Sequence, residues 1–439
     1  MEKAPHREKN PQQKSNEYYN NTSASGISDF SKHHTERLMR TLSRRIEKIH
    51  ISPIRKVAAL LDEARKRSDM ISFGGGAPSV PPPKEFLDEF SRLLKENPLR
   101  SCGYTGTRGI PELRSAISED AKKYGHVDFD PFSEIIVTTG ATEAISNLAM
   151  SLVEAGDEVI LTDPTYLGYS EIINLAQGKS RWLPVSVEEG YQPSGEQLKK
   201  VVSKKTKVFM ALSPDNPTGR LLSEDFVKTL VDLAQDYDFW IISDDIYKHI
   251  IYEGEHVWIS RFSGAKERTI TVCSFSKEAG IPGLRLGYTL APPRIIESME
   301  KMQQYSTLAP ETLGQFALVR FLRENMKEPY IRDLAVPYYV KKRDHMEKML
   351  QRHLPLAKTV RPHGAFYYFV DVLEYLRAIR LNEEEFSTRL LKDTGVAVIP
   401  GRYFGENGVG HIRMTFVSEP EERIEEGIRK MADYIAKIQ

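Results

Sequence analysis

Short apolar segments alternate with helical segments between residues 134 and 273, and this pattern limits the possible folds more than any other feature. The predicted strands lie at residues 134–139, 158–162, 180–185, 207–212, 239–243 and 269–273. Strands that are joined through helices run parallel, and a parallel sheet needs helices on both of its faces. The sequence therefore predicts an α/β fold with a mostly parallel sheet.

The two ends of the chain differ from this central part. Residues 1–34 are polar, and such a segment cannot bury enough surface to offset its ordering entropy, so we expect a disordered tail. Apolar residues at helical spacing predict a helical arm at residues 35–70, which packs on the small domain. We expect a large domain at residues 71–325 and a smaller α+β domain at residues 326–439. The strands predicted in this smaller domain lie at residues 365–370, 396–399 and 411–416.

Composition argues against several classes of function. The 61 Lys and Arg residues balance the 61 Asp and Glu residues, so no net charge favours nucleic acid or an anionic membrane. The two cysteines, Cys102 and Cys273, form no disulfide framework and have no metal-ligand spacing. No apolar run approaches the ~18 residues of a membrane span, and the N-terminus lacks the apolar segment of a signal peptide. We expect a soluble cytoplasmic protein without a metal, a nucleic-acid partner or a membrane contact.

The segment from Ser274 to Tyr288 carries the strongest sign of chemistry. It places Lys277 just after an apolar strand, with a serine three residues before it and Arg285 eight residues after it. An apolar setting lowers the pKa of a lysine, and the neutral amine can then form a Schiff base. A hydroxyl and an arginine fork at this spacing suit a dianionic phosphate. We interpret Lys277 as a lysine that bears a cofactor; the alternative is a surface lysine on a loop rich in Gly and Pro.

Other loops place ligand-type groups next to predicted strands and helices. Ala141 and Thr142 open a helix, whose free N–H groups form either an anion site or a plain N-cap. Asp244 follows an apolar strand, where α/β sheets place ligand-binding groups. Asn216 lies in a turn, which either contacts a ligand or merely reverses the chain. Gly76 ends a triple glycine without the G-x-G-x-x-G spacing, which indicates a loop that approaches a ligand rather than a dinucleotide site.

Together these motifs resemble the class I/II aminotransferases, pyridoxal-phosphate enzymes with the aspartate aminotransferase fold. The resemblance extends roughly from residue 51 to residue 439, with the motifs in the order of the family. Its most specific elements are the strings SFSK…GLRLGY and NPTG, the latter followed by DDIY; weaker ones are GGGAP, GATEA, DPTY, HGAFYYF and HIRMTF. The family implies a seven-stranded, mostly parallel sheet in the large domain and an aminotransferase with a ping-pong mechanism.

The resemblance implies that most of these residues bind pyridoxal 5'-phosphate. Lys277 would hold the cofactor covalently and move a proton, Asp244 would pair with the pyridine nitrogen, and Tyr247 would complete the catalytic set. Tyr247 and Asn216 would donate hydrogen bonds to the phenolic oxygen of the ring. The other implied cofactor contacts are Tyr166 on the ring face and, at the phosphate, Ala141, Thr142, Ser274 and Arg285.

The substrate and a second subunit complete the implied site. Arg413 would bind the α-carboxylate of the substrate through a bidentate pair, whereas an arginine inside a strand otherwise has a structural role. Gly76 and Asn216 would also contact the substrate. Tyr104 resembles the residue that contacts the phosphate of the neighbouring subunit, and this implies a homodimer with shared active sites.

The pocket for the substrate side chain is not defined by these motifs. Some aspartate-specific relatives carry a lysine where this chain has Thr142, so another cation, for example Arg402 or one from the N-terminal arm, would bind a distal carboxylate. Residues 51–55 and the following GGGAP are similar to the kynurenine/aminoadipate branch, and the chain is also similar to archaeal-type aspartate aminotransferases. We expect an aspartate, aromatic or aminoadipate-like amino donor and 2-oxoglutarate as the acceptor.

Two other functions share parts of this pattern. A pyridoxal-phosphate lyase or synthase, such as a carbon–sulfur β-lyase or an aminocyclopropane-carboxylate synthase, would have the same sheet and lysine and differ in the fate of the carbanion. A ligand sensor behind a DNA-binding domain would need more residues before the arm, with helix-turn-helix periodicity. We therefore expect an aminotransferase, with the lyase or synthase as the alternative.

Overall fold

The structure, a computed structural model, describes residues 42–47, 49 and 69–439, and every structural statement below concerns this part of the chain. The predicted tail at residues 1–34 and most of the predicted arm at residues 35–70 lie outside the described residues. Within the described ranges, no helix is long and apolar enough to cross a membrane. The domain boundary at residue 325 stays a prediction.

Strands and helices alternate along most of the described chain. The strands are β1 (Ile71–Ser72), β2 (Ile135–Thr138), β3 (Glu158–Asp163), β4 (Lys179–Pro184), β5 (Thr206–Leu212), β6 (Trp240–Asp244), β7 (Thr269–Ser274), β8 (Gly287–Leu290), β9 (Lys358–Thr359), β10 (Tyr367–Asp371), β11 (Val396–Ala397), β12 (Ile399–Pro400) and β13 (His411–Thr415). The α-helices are Arg44–Glu47, Lys84–Glu96, Pro98–Ser101, Pro111–Gly125, Gly140–Leu152, Gly168–Leu175, Gly195–Val201, Glu224–Tyr237, Phe275–Glu278, Pro293–Ser306, Thr312–Arg323, Val336–His353, Leu373–Ile379, Glu383–Thr394 and Glu421–Ile438.

A seven-stranded sheet in the order β2-β8-β7-β6-β5-β3-β4 confirms the predicted α/β class. β8 runs antiparallel to β2 and β7, and all other neighbours are parallel. The strands predicted before residue 275 lie within one residue of their observed bounds. β8 was not predicted, because its four residues begin with a glycine and show no alternation of their own.

Both faces of the central strands of this sheet are buried, and β5 shows how. Val208 and Met210 pack in the apolar cluster that includes buried residues of helices Gly140–Leu152 and Pro293–Ser306. Phe209 and Ala211, which alternate with them, pack in the cluster that includes helix Glu224–Tyr237. Successive side chains of a strand point to opposite faces, so a strand covered on both sides reads as one continuous apolar run.

The C-terminal part forms a four-stranded antiparallel sheet in the order β12-β13-β10-β9, and β1 pairs in parallel with β11. The single strand predicted at residues 396–399 is wrong. It is two strands, because Ala397 pairs with Ser72 whereas Ile399 pairs with Arg413, and the chain changes sheets at Val398. Before this sheet, the π-helical turns Pro329–Ala335 continue directly into the α-helix Val336–His353.

The parallel strands β3, β5, β6 and β7 all end at the same edge of the large sheet. Their last residues are Asp163, Leu212, Asp244 and Ser274. The loops that leave this edge therefore lie side by side, and this is where an open α/β sheet forms its ligand site.

Candidate active site

A cavity of about 370 Å³ lies at the carboxyl ends of β5, β6 and β7. Residues of the loop 74–77, of helix Gly140–Leu152 and of strands β10 and β13 also line it. Its charged lining residues are Lys277, Arg285, Arg413 and Asp244. Because the cations outnumber the acid among these described residues, the cavity suits an anionic ligand.

Lys277 lies in the one-turn helix Phe275–Glu278, directly after β7. Its Nζ donates a hydrogen bond to the carbonyl oxygen of Gly76 at 2.5 Å. Burial, together with the charges of Arg413 and Arg285, lowers the pKa of Lys277 from 10.5 to about 8. A substantial fraction of the amine is therefore neutral near pH 8, and the neutral amine is the nucleophile.

Asp244 is the last residue of β6, and its side chain is buried. Its Oδ2 accepts a hydrogen bond from Tyr169 Oη at 2.5 Å, and its Oδ1 accepts one from the N–H of Ile246 at 3.3 Å. Burial raises the pKa of Asp244 to about 7, although these hydrogen bonds act in the opposite direction. No cationic side chain of the described ranges pairs with this carboxylate, so it suits a cationic group of a ligand.

Arg413 lies in the middle of β13 and is almost fully buried. Its Nη1 donates to Asn216 Oδ1 at 3.1 Å and its Nη2 to the carbonyl of Gly74 at 2.8 Å, while its Nε has no partner among the described residues. The equally buried Arg220 differs, because the carboxylate of Asp215 lies 3.8 Å away. A buried charge without a counter-charge is costly. Arg413 therefore suits the carboxylate of a ligand, which a guanidinium can bind through two parallel hydrogen bonds.

Tyrosine side chains contribute aromatic surface and hydroxyl groups to the cavity. The Oη atoms of Tyr247 and Tyr367 lie 3.1 Å apart and share a hydrogen bond. The ring of Tyr166 meets that of Tyr169 edge to face, with centroids 5.3 Å apart. A Cβ at Gly76 would lie 2.1 Å from Tyr367 Oη, so this close approach requires glycine. These groups suit a flat ring with polar substituents.

The N-terminus of helix Gly140–Leu152 forms part of the cavity wall beside Arg285. Ala141 and Thr142 of its first turn line the cavity. Gly140 has φ +77°, and a Cβ there would lie 2.6 Å from Arg285 Nη2. Free N–H groups, the positive end of the helix dipole and a guanidinium together favour an anion such as phosphate.

The cavity brings together all of the predicted site residues except Tyr104. Those that line it are Gly76, Ala141, Thr142, Tyr166, Asn216, Asp244, Tyr247, Ser274, Lys277, Arg285 and Arg413. Tyr104 lies outside the cavity and is 91% exposed, so its contact with a second subunit stays a prediction. Arg402, considered as a partner for a distal carboxylate, also lies outside and forms an ion pair with Glu383 at 2.5 Å.

Three polar lining residues were not predicted from the sequence: Tyr169, Ser276 and Tyr367. Tyr169 follows Tyr166 by three residues, which is a helical spacing that places two side chains on one face. Ser276 directly precedes Lys277 and could have been included with it. Tyr367 gave no usable signal, because it lies in the aromatic run of residues 366–369 and only the packing selects one ring for the cavity.

Comparison with known proteins adds a family match to this geometry. Residues 68–431 match the family model described as aminotransferase class I and II. An aspartate aminotransferase of Pyrococcus abyssi is 34% identical over 391 residues, which covers 89% of this chain and 97% of the relative. The aromatic-amino-acid aminotransferase 2 of Thermococcus litoralis is 32% identical with the same coverage of both chains. The solved structure of aspartate aminotransferase from Thermus thermophilus with maleate has a TM-score of 0.83 and 32% identity, covering 90% of this chain and 100% of that one.

Proposed function

This chain belongs to the class I and II aminotransferase family and is an aminotransferase, and we propose that its cofactor is pyridoxal 5'-phosphate bound at Lys277. The family depends on this cofactor. The observation that carries the proposal is that one cavity contains the Lys277 amine, the Asp244 carboxylate and the Arg413 guanidinium. The reaction would move an amino group from an L-amino acid to a 2-oxo acid in a ping-pong sequence.

The described residues fit pyridoxal phosphate in charge and in chemical character. Asp244, which has no cationic partner in the described chain, would pair with the protonated ring nitrogen. Tyr166 would contact the ring face, and Tyr247 and Asn216 would donate hydrogen bonds to the phenolic oxygen. The phosphate would be held by Ser274, Arg285 and the first-turn residues Ala141 and Thr142.

When bound, the cofactor supplies a sink for the electron pair that the Cα–H bond of the substrate leaves behind. The protein's part is to hold the groups and to move the proton. Lys277, with a pKa of about 8, would take the proton from Cα and return it to C4' of the cofactor. The negative charge of Asp244 would keep the ring nitrogen protonated. The positive charge of that nitrogen would in turn lower the pKa of Asp244 again from about 7.

We propose that Arg413 binds the α-carboxylate of the amino acid and of the oxo acid in turn, with Gly76 and Asn216 beside it. The proposed donor is aspartate, an aromatic amino acid or an aminoadipate-like one, and the proposed acceptor is 2-oxoglutarate. Relatives named for aspartate and for aromatic amino acids support this range. Within the described lining, the cations are Lys277, Arg285 and Arg413, so a distal carboxylate would need a cation from elsewhere.

We also propose that the active form is a homodimer in which Tyr104 contacts the cofactor phosphate of the neighbouring subunit. The side chain of Tyr104 is 91% exposed, as is that of Tyr305. Tyrosine is enriched at protein–protein interfaces, because its ring can pack against a partner while its hydroxyl forms a hydrogen bond. A Tyr104→Phe variant would test the contact through its affinity for the cofactor.

The test of the proposed function is the absorption spectrum of the protein saturated with pyridoxal phosphate as single L-amino acids are added without an oxo acid. A true donor is expected to replace the spectrum of the aldehyde form with that of the amino form, and 2-oxoglutarate is expected to restore it. Aspartate, phenylalanine, tyrosine, kynurenine and 2-aminoadipate form the donor series. Product formation while the cofactor keeps its aldehyde form would instead establish a lyase or synthase. A mixture whose spectrum is only the sum of the spectra of the protein and of free pyridoxal phosphate would overturn the role of Lys277.

Tyr169→Phe is expected to move the acidic limb of the pH profile of kcat/KM upward by about one pH unit. The variant removes the hydroxyl that donates to Asp244 Oδ2 at 2.5 Å, and the ionised carboxylate loses that stabilisation. Its pKa therefore rises, and a higher pH is needed to ionise it. Tyr191→Phe is the control, since Tyr191 is also buried but lies outside the cavity. An acidic limb that does not move would contradict the prediction.

Arg413→Lys is expected to raise KM for both the amino acid and the oxo acid by about 100-fold, with a smaller change in kcat. Lysine keeps the charge but loses the planar fork that binds a carboxylate through two hydrogen bonds. The measurement is steady-state kinetics with each substrate varied in turn. Arg343→Lys is the control, because Arg343 is equally buried but forms ion pairs with Glu253 and Asp344 outside the cavity. Unchanged KM values in Arg413→Lys would show that the carboxylate binds elsewhere.

A further inference from the structure

We propose that Lys248 and Glu278 are positioning residues for amino transfer, because their buried ion pair joins the two backbone segments that carry Tyr247 and Lys277. Lys248 directly follows Tyr247, and Glu278 directly follows Lys277. Tyr247 and Lys277 line the cavity, whereas Lys248 and Glu278 do not. The inference rests on the roles proposed above for Lys277 and Tyr247.

The ion pair is short and almost completely buried. Lys248 Nζ lies 3.1 Å from Glu278 Oε2, and each side chain is 2% exposed. The same Nζ donates a second hydrogen bond to Tyr288 Oη at 3.0 Å. On the cavity side of these segments, Lys277 Nζ lies 5.7 Å from the ring centroid of Tyr247. The Lys248–Glu278 pair therefore links the two segments at the residues next to Tyr247 and Lys277, the two groups that act together.

The segment that carries Lys277 needs such an anchor. Its helix, Phe275–Glu278, has only four residues, and one helical turn has little stability of its own. Strand β7 holds the first residue of this helix. Two residues after the last residue of the helix comes Gly280, whose φ of +69° lies outside the helical range. Glu278 is the last residue of the turn, so its ion pair fixes the end that β7 does not hold. Displacement of a reacting group by about 1 Å can lower a rate by about 100-fold.

A second buried pair lies beside the first and provides a matched control. Lys327 Nζ lies 2.6 and 2.7 Å from the two carboxylate oxygens of Asp120 and 3.7 Å from Glu278 Oε2. Burial beside Lys327 and Lys248 holds the pKa of His249 well below its usual value, so its ring is neutral. The charges of Lys248 and Glu278 therefore balance each other, as do those of Lys327 and Asp120. Either pair can be replaced as a unit without leaving a buried charge unpaired.

The experiment compares Lys248→Met/Glu278→Met with Lys327→Met/Asp120→Leu. Unfolding in urea of both cofactor-free proteins first establishes that each folds cooperatively. The pKa of Lys277 is then measured in cofactor-free protein from the pH dependence of its labelling by acetic anhydride, followed by peptide mass spectrometry. The third measurement is kcat with the donor that the spectral test identifies.

In the wild type, labelling of Lys277 is expected to be half-maximal near pH 8. In Lys248→Met/Glu278→Met, the midpoint is expected to rise by about one pH unit and kcat to fall at least about tenfold, since a looser turn exposes the amine to water and misplaces it. The control pair is expected to leave the midpoint unchanged and kcat within about twofold. If the first double variant does not fold, Lys248→Arg replaces it, since it keeps the charge but forces the segments apart, and the same changes are expected.

Equal changes in both double variants, or no change in the first, would overturn the positioning role alone. If Lys277 of the wild type titrates like a surface lysine and the wild-type protein catalyses no amino transfer, the proposed function is overturned, and this inference with it. The two failures are therefore distinguishable in one set of measurements.

Discussion

Lys277→Ala is expected to lower kcat for amino transfer by at least about 10⁴-fold, the largest effect of any single change in this chain. The variant removes both the amine that would attach the cofactor and the base that would move the proton of the substrate. Burial and two nearby arginines lower the pKa of this amine to about 8, and no other lysine lines the cavity in the described chain. The measurement is a stopped assay with excess cofactor, donor and 2-oxoglutarate.

Two further variants make this result specific. Lys199→Ala, on the exposed face of helix Gly195–Val201, is expected to retain wild-type kcat. Lys277→Arg keeps a positive charge, but a guanidinium is not deprotonated near pH 8, so its loss of activity is expected to equal that of Lys277→Ala. Activity within tenfold of the wild type in either Lys277 variant would show that another group moves the proton.

Asp244→Asn is expected to lower kcat by about 10²–10³-fold while it stabilises the cofactor-free protein above about pH 7. The activity falls because an amide does not hold the ring nitrogen in its protonated form. The stability rises because the wild-type carboxylate is buried without a cationic partner in the described chain, and asparagine removes this buried charge. A single substitution therefore changes activity and stability in opposite directions.

The pH dependence of stability follows from the same shift. Asp244 has a folded-state pKa of about 7, raised from 3.8, so the folded state binds more protons than the unfolded state between these values. The stability from this group is complete below pH 3.8 and is lost as the pH rises through about 7. The gain in Asp244→Asn is therefore expected in urea unfolding at pH 8 and absent at pH 4.

The neighbouring carboxylate provides the control for this prediction. Asp245 accepts a hydrogen bond from Ser243 Oγ at 2.6 Å and lies 3.0 Å from His256 Nε2. Asp245→Asn replaces one of these two carboxylate oxygens, both of which face polar groups of the protein, with an amide NH2, and it is expected to destabilise the fold at pH 8. If Asp244→Asn also loses stability at pH 8, the account of Asp244 as an unpaired buried acid is wrong.

These two aspartates also show where reasoning from sequence stops. Both follow the same apolar strand, and nothing in their order distinguishes them apart from the family resemblance. In the structure Asp244 lines the cavity beside Tyr169, whereas Asp245 has His256 and Ser243 as its partners. The difference arises because successive residues at a strand end point to opposite faces, and only the tertiary structure establishes what each face contacts.

The arginines lead to the same conclusion. Arg413 interrupts an apolar strand, whereas Arg220 and Arg402 each directly follow a glycine in a turn, and sequence alone does not show which of them lacks an acid. Arg402 pairs with Glu383, and Arg220 lies near Asp215, so the structure leaves Arg413 as the buried guanidinium that faces the cavity. Arg413 can bind a carboxylate because its partners in the described chain are neutral oxygens, and the sequence around it does not show this.

The sequence by itself determined the strand–helix alternation, the α/β class and the position of Lys277 after β7, because these depend on local periodicity and on neighbours within a few residues. The tertiary structure alone decided the raised pKa of Asp244, the part of Tyr169 and Tyr367 in the cavity and the Lys248–Glu278 pair. These depend on burial and on contacts between distant parts of the chain, since 75 residues separate Tyr169 from Asp244 and 201 separate Gly76 from Lys277. No local pattern encodes such distances, and packing of the whole sheet and its helices sets them.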